Sequence, residues 1–283
     1  MTNRRFGVST HLFHESRLDR QHLVEIAAHG FDAVEVFATR SHFDYLDARA
    51  AGELGEWLSD TRLELHSMHA PIVDAITGGQ WVGGYSNAVR DEAGRRAAVE
   101  QAKAALDVAR VLPYRFLVVH LGVPDGERVP PGDNQPGAAR RSVEEIAALA
   151  ADVGVRVAIE VIPNGLSSPA ALTRLIEEDL EMRNVGLCLD YGHANLMGDV
   201  TDAVEAISGH LFTTHVHDNG GRKDDHLVPF AGSIDWDSAM IATQKVGYDG
   251  VLMLEVASTG DPKDVLRRLV AARTRLDKMF FTF

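Results

Sequence analysis

Short apolar runs rich in Val, Ile, Leu and Phe alternate with longer amphipathic stretches along the whole chain. Eight of these runs predict β-strands, at residues 6–10, 33–37, 63–69, 116–122, 156–162, 184–190, 211–217 and 250–256. Helical periodicity predicts eight helices between and after them, at residues 19–28, 48–59, 92–111, 138–153, 170–180, 202–207, 235–245 and 263–278. Gly30, Gly154 and Gly247 follow three of the helices, as glycines at helix C-termini commonly do.

Eight strand–helix units in about 250 residues are typical of an α/β (β/α)8 barrel. We therefore expect one TIM-barrel domain over residues 1–283. The alternative is a doubly wound open sheet, which usually carries a glycine-rich motif after its first strand. Here the first strand is followed by His11 and His14 without such glycines. The irregular stretches 72–88 and 123–137 are long enough to form lids or pocket walls.

The charge balance narrows the classes of function. Lys and Arg number 28 against 41 Asp and Glu, which gives a net charge of −13 and excludes a generic polyanion binder. No apolar stretch reaches the roughly 18 residues of a membrane-spanning helix, and the N-terminus does not resemble a signal peptide. The single cysteine, Cys188, cannot form a disulfide within the chain. These features predict a cytoplasmic protein without membrane contact, and they leave homo-oligomerisation open.

From the third strand onward, every apolar run ends in His, Glu or Asp. These residues are His66, His69, His120, Glu160, Asp190, His193, His215, His217, Asp218 and Glu255. A single such residue is commonly only hydrogen-bonded, but the C-terminal ends of barrel strands meet at one mouth. Three carboxylates converging there without a cation would repel one another. The joint pattern therefore predicts a divalent metal, with ligands that suit Zn, Mn, Co, Fe or Mg.

Further polar residues have two interpretations each. Asp224 and His226 lie nine and eleven residues after His215, in a loop that is either a solvated polar segment or a carrier of two more ligands. His11 and His14 follow the first strand and Glu35 lies in the second, and each either contacts substrate or makes ordinary hydrogen bonds. Arg222 and Lys223 form the basic pair of the predicted mouth and could contact an anionic group.

These motifs resemble the xylose isomerase-like TIM barrels, which include endonuclease IV, inosose isomerases and D-tagatose-type 3-epimerases. The motifs are HAP at His69, VVHLG at His120, AIEVIPN at Glu160, LDYGHAN at Asp190 and His193, HVHDN at His215, D-x-H at Asp224 and His226, and LMLEV at Glu255. The resemblance implies a core metal held by two glutamates, an aspartate and a histidine of the seventh strand. His215 stands three residues before Asp218, as in the family's H-x-x-D, and is preferred to His217, although the spacing from Asp190 does not decide between them.

The resemblance implies two activities. In the isomerase and epimerase branch, Glu160 and Glu255 flank a sugar and relay a proton next to its carbonyl. His193, His217, Arg222 and Lys223 are the predicted substrate contacts of that branch. In the endonuclease branch, nine ligands hold up to three metal ions. These ligands are Glu160, Asp190, His215, Glu255, His69, His120, His193, Asp224 and His226.

This chain departs from the sequence pattern of each branch. The 3-epimerases carry a second Glu six residues after the strand-five Glu, where this chain has Leu166. Endonuclease IV needs basic DNA-binding loops, and the loops here are not basic. We therefore expect a metal-dependent isomerase or epimerase of a small sugar, sugar phosphate or inosose, with one to three ions per chain. The alternative is an endonuclease IV-like phosphoester hydrolase. A barrel that holds its metal only for structure is a third possibility. Such a site needs only four ligands, about half of those available, and the excess argues for a functional site.

Overall fold

The computed structural model describes residues 4–126, 133–180, 182–258 and 260–280. Its strands are β1 Phe6–Ser9, β2 Ala33–Phe37, β3 Glu64–His69, β4 Val73–Thr77, β5 Gln80–Gly84, β6 Phe116–Val119, β7 Arg156–Glu160, β8 Val185–Asp190, β9 Leu211–Val216 and β10 Leu252–Leu254. Eight of them form a closed parallel barrel in the order β1-β10-β9-β8-β7-β6-β3-β2, and β4 and β5 form a separate antiparallel pair. The predicted single (β/α)8 barrel is confirmed.

Helices follow the barrel strands and cover the outside of the barrel. They are α1 Arg20–Ala28, α2 Ala48–Thr61, α3 Glu92–Asp107, α4 Pro136–Asp152, α5 Pro169–Arg174, α6 Tyr191–Met197, α7 Val200–Ala206, α8 Trp236–Lys245 and α9 Pro262–Met279. Seven begin after an aspartate whose side chain accepts a backbone N–H of the first turn. These aspartates are Asp19, Asp47, Asp91, Asp190, Asp199, Asp235 and Asp261. Helix capping therefore accounts for part of the acidic excess.

The sequence pattern located the barrel elements but missed smaller ones. Residues 72–88, predicted as irregular, contain the β4–β5 hairpin, whose turn residues Gly78 and Gly79 have φ of 58° and 75°. Such angles suit a tight hairpin turn and favour glycine. The helix predicted over residues 170–180 is α-helical only to Arg174 and continues as a π-helix over Leu175–Asp179. Within the other irregular stretch, 123–137, residues 127–132 lie outside the described residues.

Burial on both faces of the barrel strands explains their continuous apolar character. β2 and β8 are buried at every position, since helices cover the outer face and side chains fill the interior. Cys188 is fully buried, as expected for a core thiol. Among the described residues, no helix combines the length and apolarity needed to cross a lipid bilayer.

Candidate metal centre

Polar donors gather at the C-terminal mouth of the barrel in overlapping groups. The central group contains Glu160, Asp190, His215 and Glu255, whose donor atoms all lie within 4.8 Å of one another. A second group joins Glu160 to His69 and His120, and a third contains His193, His217, Asp224 and His226. All nine residues predicted as metal ligands are therefore present in these groups. Their assignment as ligands stays a proposal.

The central group is assembled from four consecutive barrel strands. Glu160 and Asp190 end β7 and β8, His215 lies in β9, and Glu255 directly follows β10. The parallel register places Asp190 level with His215 and Glu160 level with Cys188. The strand ends therefore meet at one depth of the barrel mouth, and their side chains converge.

Several buried atoms of the central group face one another without forming hydrogen bonds. His215 Nδ1 lies 2.7 Å from Glu255 Oε2 and 3.3 Å from Glu160 Oε2. All three atoms are buried, and none has a hydrogen-bond partner among the described residues. Buried polar atoms without partners are rare in native proteins and call for a specific explanation. A cation between them would satisfy all three.

Glu160 Oε2 also connects the central group to the second group. His69 Nε2 lies 3.3 Å from this oxygen and His120 Nε2 lies 3.2 Å from it. The other carboxylate oxygen, Oε1, lies 3.2 Å from His193 Nδ1. Glu160 therefore faces donors of all three groups, as a bridging carboxylate would.

The third group depends on a loop that folds back into the mouth. Asp224 Oδ2 lies 2.9 Å from His226 Nε2 and 3.1 Å from His193 Nε2. A β-bridge between Asp218 and Leu227 holds this loop against the barrel. Asp224 and His226 therefore lie where they could serve as additional ligands, and this role stays a proposal.

The pKa values of the central carboxylates reflect close charge pairing. Burial raises the pKa of Glu160, but the rings of His120 and His215 outweigh it and hold this pKa well below its ordinary value. Burial likewise raises the pKa of Glu255, and His215 and His226 lower it well below its ordinary value. Both carboxylates are therefore ionised at neutral pH, which is the state in which they bind a cation.

The histidines show the opposite shift. Burial lowers the pKa of His193, but Asp190, Asp224 and Glu160 outweigh it and raise this pKa well above its ordinary value. Burial also lowers the pKa of His226, but Asp224 raises it on balance to about 9. In the metal-free protein these rings therefore carry the positive charge that a divalent cation would otherwise supply.

The mouth opens into a cavity lined by both polar and apolar side chains. Residues of all three donor groups line it, including Glu160 and Glu255. The rest of the lining consists mainly of aromatic and aliphatic side chains: Phe37, Ile72, Trp81, Tyr85, Val123 and Pro124. Three of these residues come from the hairpin segment, which supports its expected role as a pocket wall. A cavity of this kind suits a small ligand with an apolar face and several polar groups.

His11 and His14 line the same cavity but differ electrostatically from His193 and His226. Burial lowers the pKa of His11 to about 4 and that of His14 to about 2. Both rings are therefore neutral at physiological pH. They can exchange hydrogen bonds with hydroxyl groups but cannot attract an anion by charge.

Three predicted substrate contacts lie elsewhere than on the cavity wall. Arg222 and Lys223 are exposed, and neither lines the cavity. His217 is fully buried, with its ring stacked on that of His226 at 4.0 Å and its Nε2 3.0 Å from Asp190. These positions do not support direct substrate contact, because each side chain is either directed to solvent or covered by another group. His193, the fourth predicted contact, does line the cavity.

A glycine explains how His217 fits behind the mouth. Gly192 lies beside the His217 ring, and a Cβ at Gly192 would stand 2.0 Å from His217 Cε1. No other residue type fits without moving either the ring or helix α6. The glycine of the LDYGHAN motif is therefore required by this close approach.

Comparison with known proteins identifies the family. The profile described as xylose isomerase-like TIM barrel matches residues 23–275. The chain belongs to this family. A Methanocaldococcus jannaschii protein, the uncharacterized protein MJ1311, is 28% identical over 281 residues, covering 93% of this chain and 88% of that protein. The inosose isomerase of Bacillus velezensis is 22% identical over 250 residues, covering 84% of this chain and 82% of the relative.

Two solved structures superpose on nearly the whole chain. A D-tagatose 3-epimerase-like protein has a TM-score of 0.78 at 25% identity, covering 97% of this chain and 98% of its own. The IOLI protein, solved with a bound zinc atom, has a TM-score of 0.77 at 19% identity, covering 99% of this chain and 100% of its own. The full-length match agrees with a single barrel.

Proposed function

We propose that this xylose isomerase-like chain is a divalent-metal-dependent isomerase or epimerase that moves a proton next to the carbonyl of a small carbohydrate or inosose. The observation that carries the proposal is the pair of ionised carboxylates, Glu160 and Glu255, which line the same cavity and share a donor group. The epimerase-like structure and the inosose isomerase relative support this class of reaction.

The central residues fit a metal ion. Glu160 Oε2, His215 Nδ1 and Glu255 Oε2 are buried and unpartnered, and Asp190 completes a set of one nitrogen and three carboxylate ligands. This mixed set suits zinc, manganese, iron or cobalt. The zinc atom bound to the IOLI protein supports the same proposal. When bound, the ion polarises the substrate carbonyl and stabilises negative charge on its oxygen.

The two glutamates have the geometry to hold and move the proton. Each offers one oxygen to the donor group and retains a second: Glu160 Oε1 faces His193, and Glu255 borders the cavity. A carboxylate that is ionised and partly desolvated can accept a proton from carbon and return it to the same or the adjacent carbon. His193, which lies beside Glu160, is placed to orient a substrate hydroxyl.

The cavity favours a neutral carbohydrate over a sugar phosphate. Among the described lining residues there is no Lys or Arg, and His11 and His14 are uncharged at neutral pH. Trp81 and Phe37 offer ring faces against which the apolar face of a sugar can pack. Phosphate recognition commonly uses Arg or Lys, and neither residue type is among the described lining residues.

Exchange of carbon-bound hydrogen with solvent tests this proposal. Wild-type protein loaded with manganese or zinc should incorporate deuterium from heavy water into an inosose or ketose. A chelator should abolish the exchange. Glu255→Gln should also abolish it while its metal content, measured in the same sample, is retained. Glu53→Gln, at an exposed position in α2, serves as the matched control. This variant should exchange carbon-bound hydrogen as wild-type protein does. Undiminished exchange by Glu255→Gln would contradict the assignment of Glu255.

A phosphoester hydrolase is the second candidate, because the donor groups exceed what one ion requires. The three groups together offer ligands for up to three ions, and multinuclear sites are common in enzymes that cleave phosphodiesters. Under this alternative, the protein would cleave DNA at abasic sites, with activity that falls steeply as salt rises. Catalytic cleavage of such DNA without hydrogen exchange in any sugar would replace the isomerase proposal.

A further inference from the structure

Glu35 is a buried carboxylate that the proposed reaction does not use. It is fully buried in β2, inside the barrel beneath the donor groups. Ser9 Oγ donates to its Oε1 at 3.1 Å, and Ser67 Oγ donates to its Oε2 at 2.8 Å. Ionisable side chains are almost never fully buried unless they are paired. The partner of Glu35 is His215, whose Nε2 lies 3.0 Å from both carboxylate oxygens.

Strand register places the two serines beside Glu35. Ser9 in β1 is level with Glu35 in the parallel pairing of β1 and β2. The pairing of β2 and β3 shifts between Val34 and Glu35, so that Ser67 lies opposite Glu35. Such an irregularity commonly redirects a side chain close to a functional site. The carboxylate is therefore fixed from both neighbouring strands.

The contact with Glu35 decides which nitrogen of His215 carries the proton. A neutral imidazole has one N–H, and an ionised carboxylate can only accept a hydrogen bond. In the neutral ring the contact with Glu35 therefore holds the proton on Nε2, and the lone pair of Nδ1 faces Glu160, Asp190 and Glu255. Without Glu35, the nearest acceptor would be Glu255 Oε2, 2.7 Å from Nδ1. A proton on Nδ1 would prevent that nitrogen from binding a cation.

We propose that Glu35 is a positioning residue that holds the proton of His215 on Nε2 and keeps Nδ1 free to bind the divalent cation. This inference rests on the metal site of the proposed function. It adds a residue from the opposite part of the barrel, 180 positions away in sequence, to the determinants of metal affinity. Carboxylates that orient a metal-binding histidine typically change metal affinity by about 10- to 100-fold when removed.

Metal affinity of Glu35 variants tests the inference without reference to turnover. Competition with a chromophoric chelator for Zn²⁺ should show a dissociation constant weakened about 10- to 100-fold in Glu35→Ala. Glu35→Gln should show a smaller loss, because its amide oxygen can still accept from Nε2. Glu64→Ala removes a carboxylate of the neighbouring strand β3 that pairs with Arg5 and Arg115 instead of His215, and serves as the matched control with unchanged affinity.

The tautomer gives a second readout, which requires no metal. Nitrogen-detected NMR of the His215 ring, assigned with His215→Asn, should show the Nε2–H tautomer in wild-type protein at a pH where the ring is neutral. Glu35→Ala should populate the Nδ1–H tautomer. Folded Glu35 variants with wild-type Zn²⁺ affinity and the wild-type tautomer would overturn the inference. A wild-type protein that binds no Zn²⁺ but shows the Nε2–H tautomer would instead contradict the metal-dependent function.

Discussion

The Asp224 carboxylate and the His226 imidazole are in contact at 2.9 Å, although only one residue separates them. His226 adopts a left-handed backbone conformation, with φ of 44°, which is unusual for a residue other than glycine. His226 Nδ1 is held at the same time by the backbone carbonyl of Glu255, at 3.2 Å. Strained conformations of this kind persist where the surroundings fix them, often at functional sites. The loop therefore presents both side chains to the mouth as a unit.

Metal stoichiometry should depend on Asp224. This carboxylate contacts His193 and His226, and its Oδ1 is buried without a hydrogen-bond partner. We expect elemental analysis of wild-type protein equilibrated with zinc to exceed one equivalent per chain. Asp224→Ala should lose about one equivalent, because it removes the carboxylate of the third group that contacts both His193 and His226. Asp225→Ala, at the neighbouring position paired with Lys223, is the control and should keep the wild-type value. One equivalent in both wild type and Asp224→Ala would reassign the third group to substrate binding.

Stability of the metal-free protein should fall as the pH rises above neutrality. The pKa of His226 is raised from its ordinary value of 6.5 to about 9, against the effect of burial, by its contact with Asp224. A raised histidine pKa stabilises the fold fully below 6.5, and this stabilisation is lost as the pH rises through 9. The free energy of unfolding of chelator-treated protein, measured in urea, should fall by on the order of 3 kcal/mol between pH 6 and pH 10 from this residue.

The same pH experiment has two built-in comparisons. His226→Gln cannot titrate and should show a smaller slope than wild type over this range. Saturating zinc should reverse the slope, because the metal competes with protons for the ring nitrogens and binds more tightly as they deprotonate. A wild-type slope in His226→Gln would show that the loss of stability comes from other groups.

Gly192→Ala should disturb the third donor group. The added Cβ would stand 2.0 Å from His217 Cε1 and 2.3 Å from Nδ1, so the ring or helix α6 must move. We expect a loss of roughly 2–4 kcal/mol in the free energy of unfolding, the range of severe overpacking. Gly165→Ala is the matched control, because its Cβ would have no neighbour within 4 Å. Equal stability of the two variants would indicate that His217 does not occupy this position.

Trp81 should contribute to substrate binding rather than to the chemical step. Its side chain is 49% exposed on β5 and lines the same cavity as the carboxylates Glu160 and Glu255. Removing a ring face that packs on a sugar should cost about 1 kcal/mol, which raises KM about fivefold with little change in kcat. Val82→Ala is the matched control, since Val82 is equally exposed but does not line the cavity. A Trp81→Ala variant with reduced kcat and unchanged KM would contradict this role.

The sequence by itself determined the barrel and most of its mouth. The alternation of apolar runs and amphipathic stretches gave all eight barrel strands, because a strand buried on both faces is apolar along its whole length. Since strand ends of a parallel barrel meet on one face, the polar residue after each run could be assigned to the mouth without knowing any distance. Glu160, Asp190 and Glu255 followed from this rule alone.

Tertiary structure alone decided how these residues are oriented. His215 in β9 and His217 just after it are two residues apart, so an extended chain directs both side chains to the same face and spacing could not choose between them. In the structure, His215 faces the central carboxylates and His217 lies behind them, against Gly192. The sequence did not reveal the partner of Glu35, because His215 lies 180 residues further along the chain and only the closed barrel brings the two side chains together. Local periodicity records which face of a strand is buried, whereas the direction of a ring nitrogen depends on groups that only the closed barrel brings together.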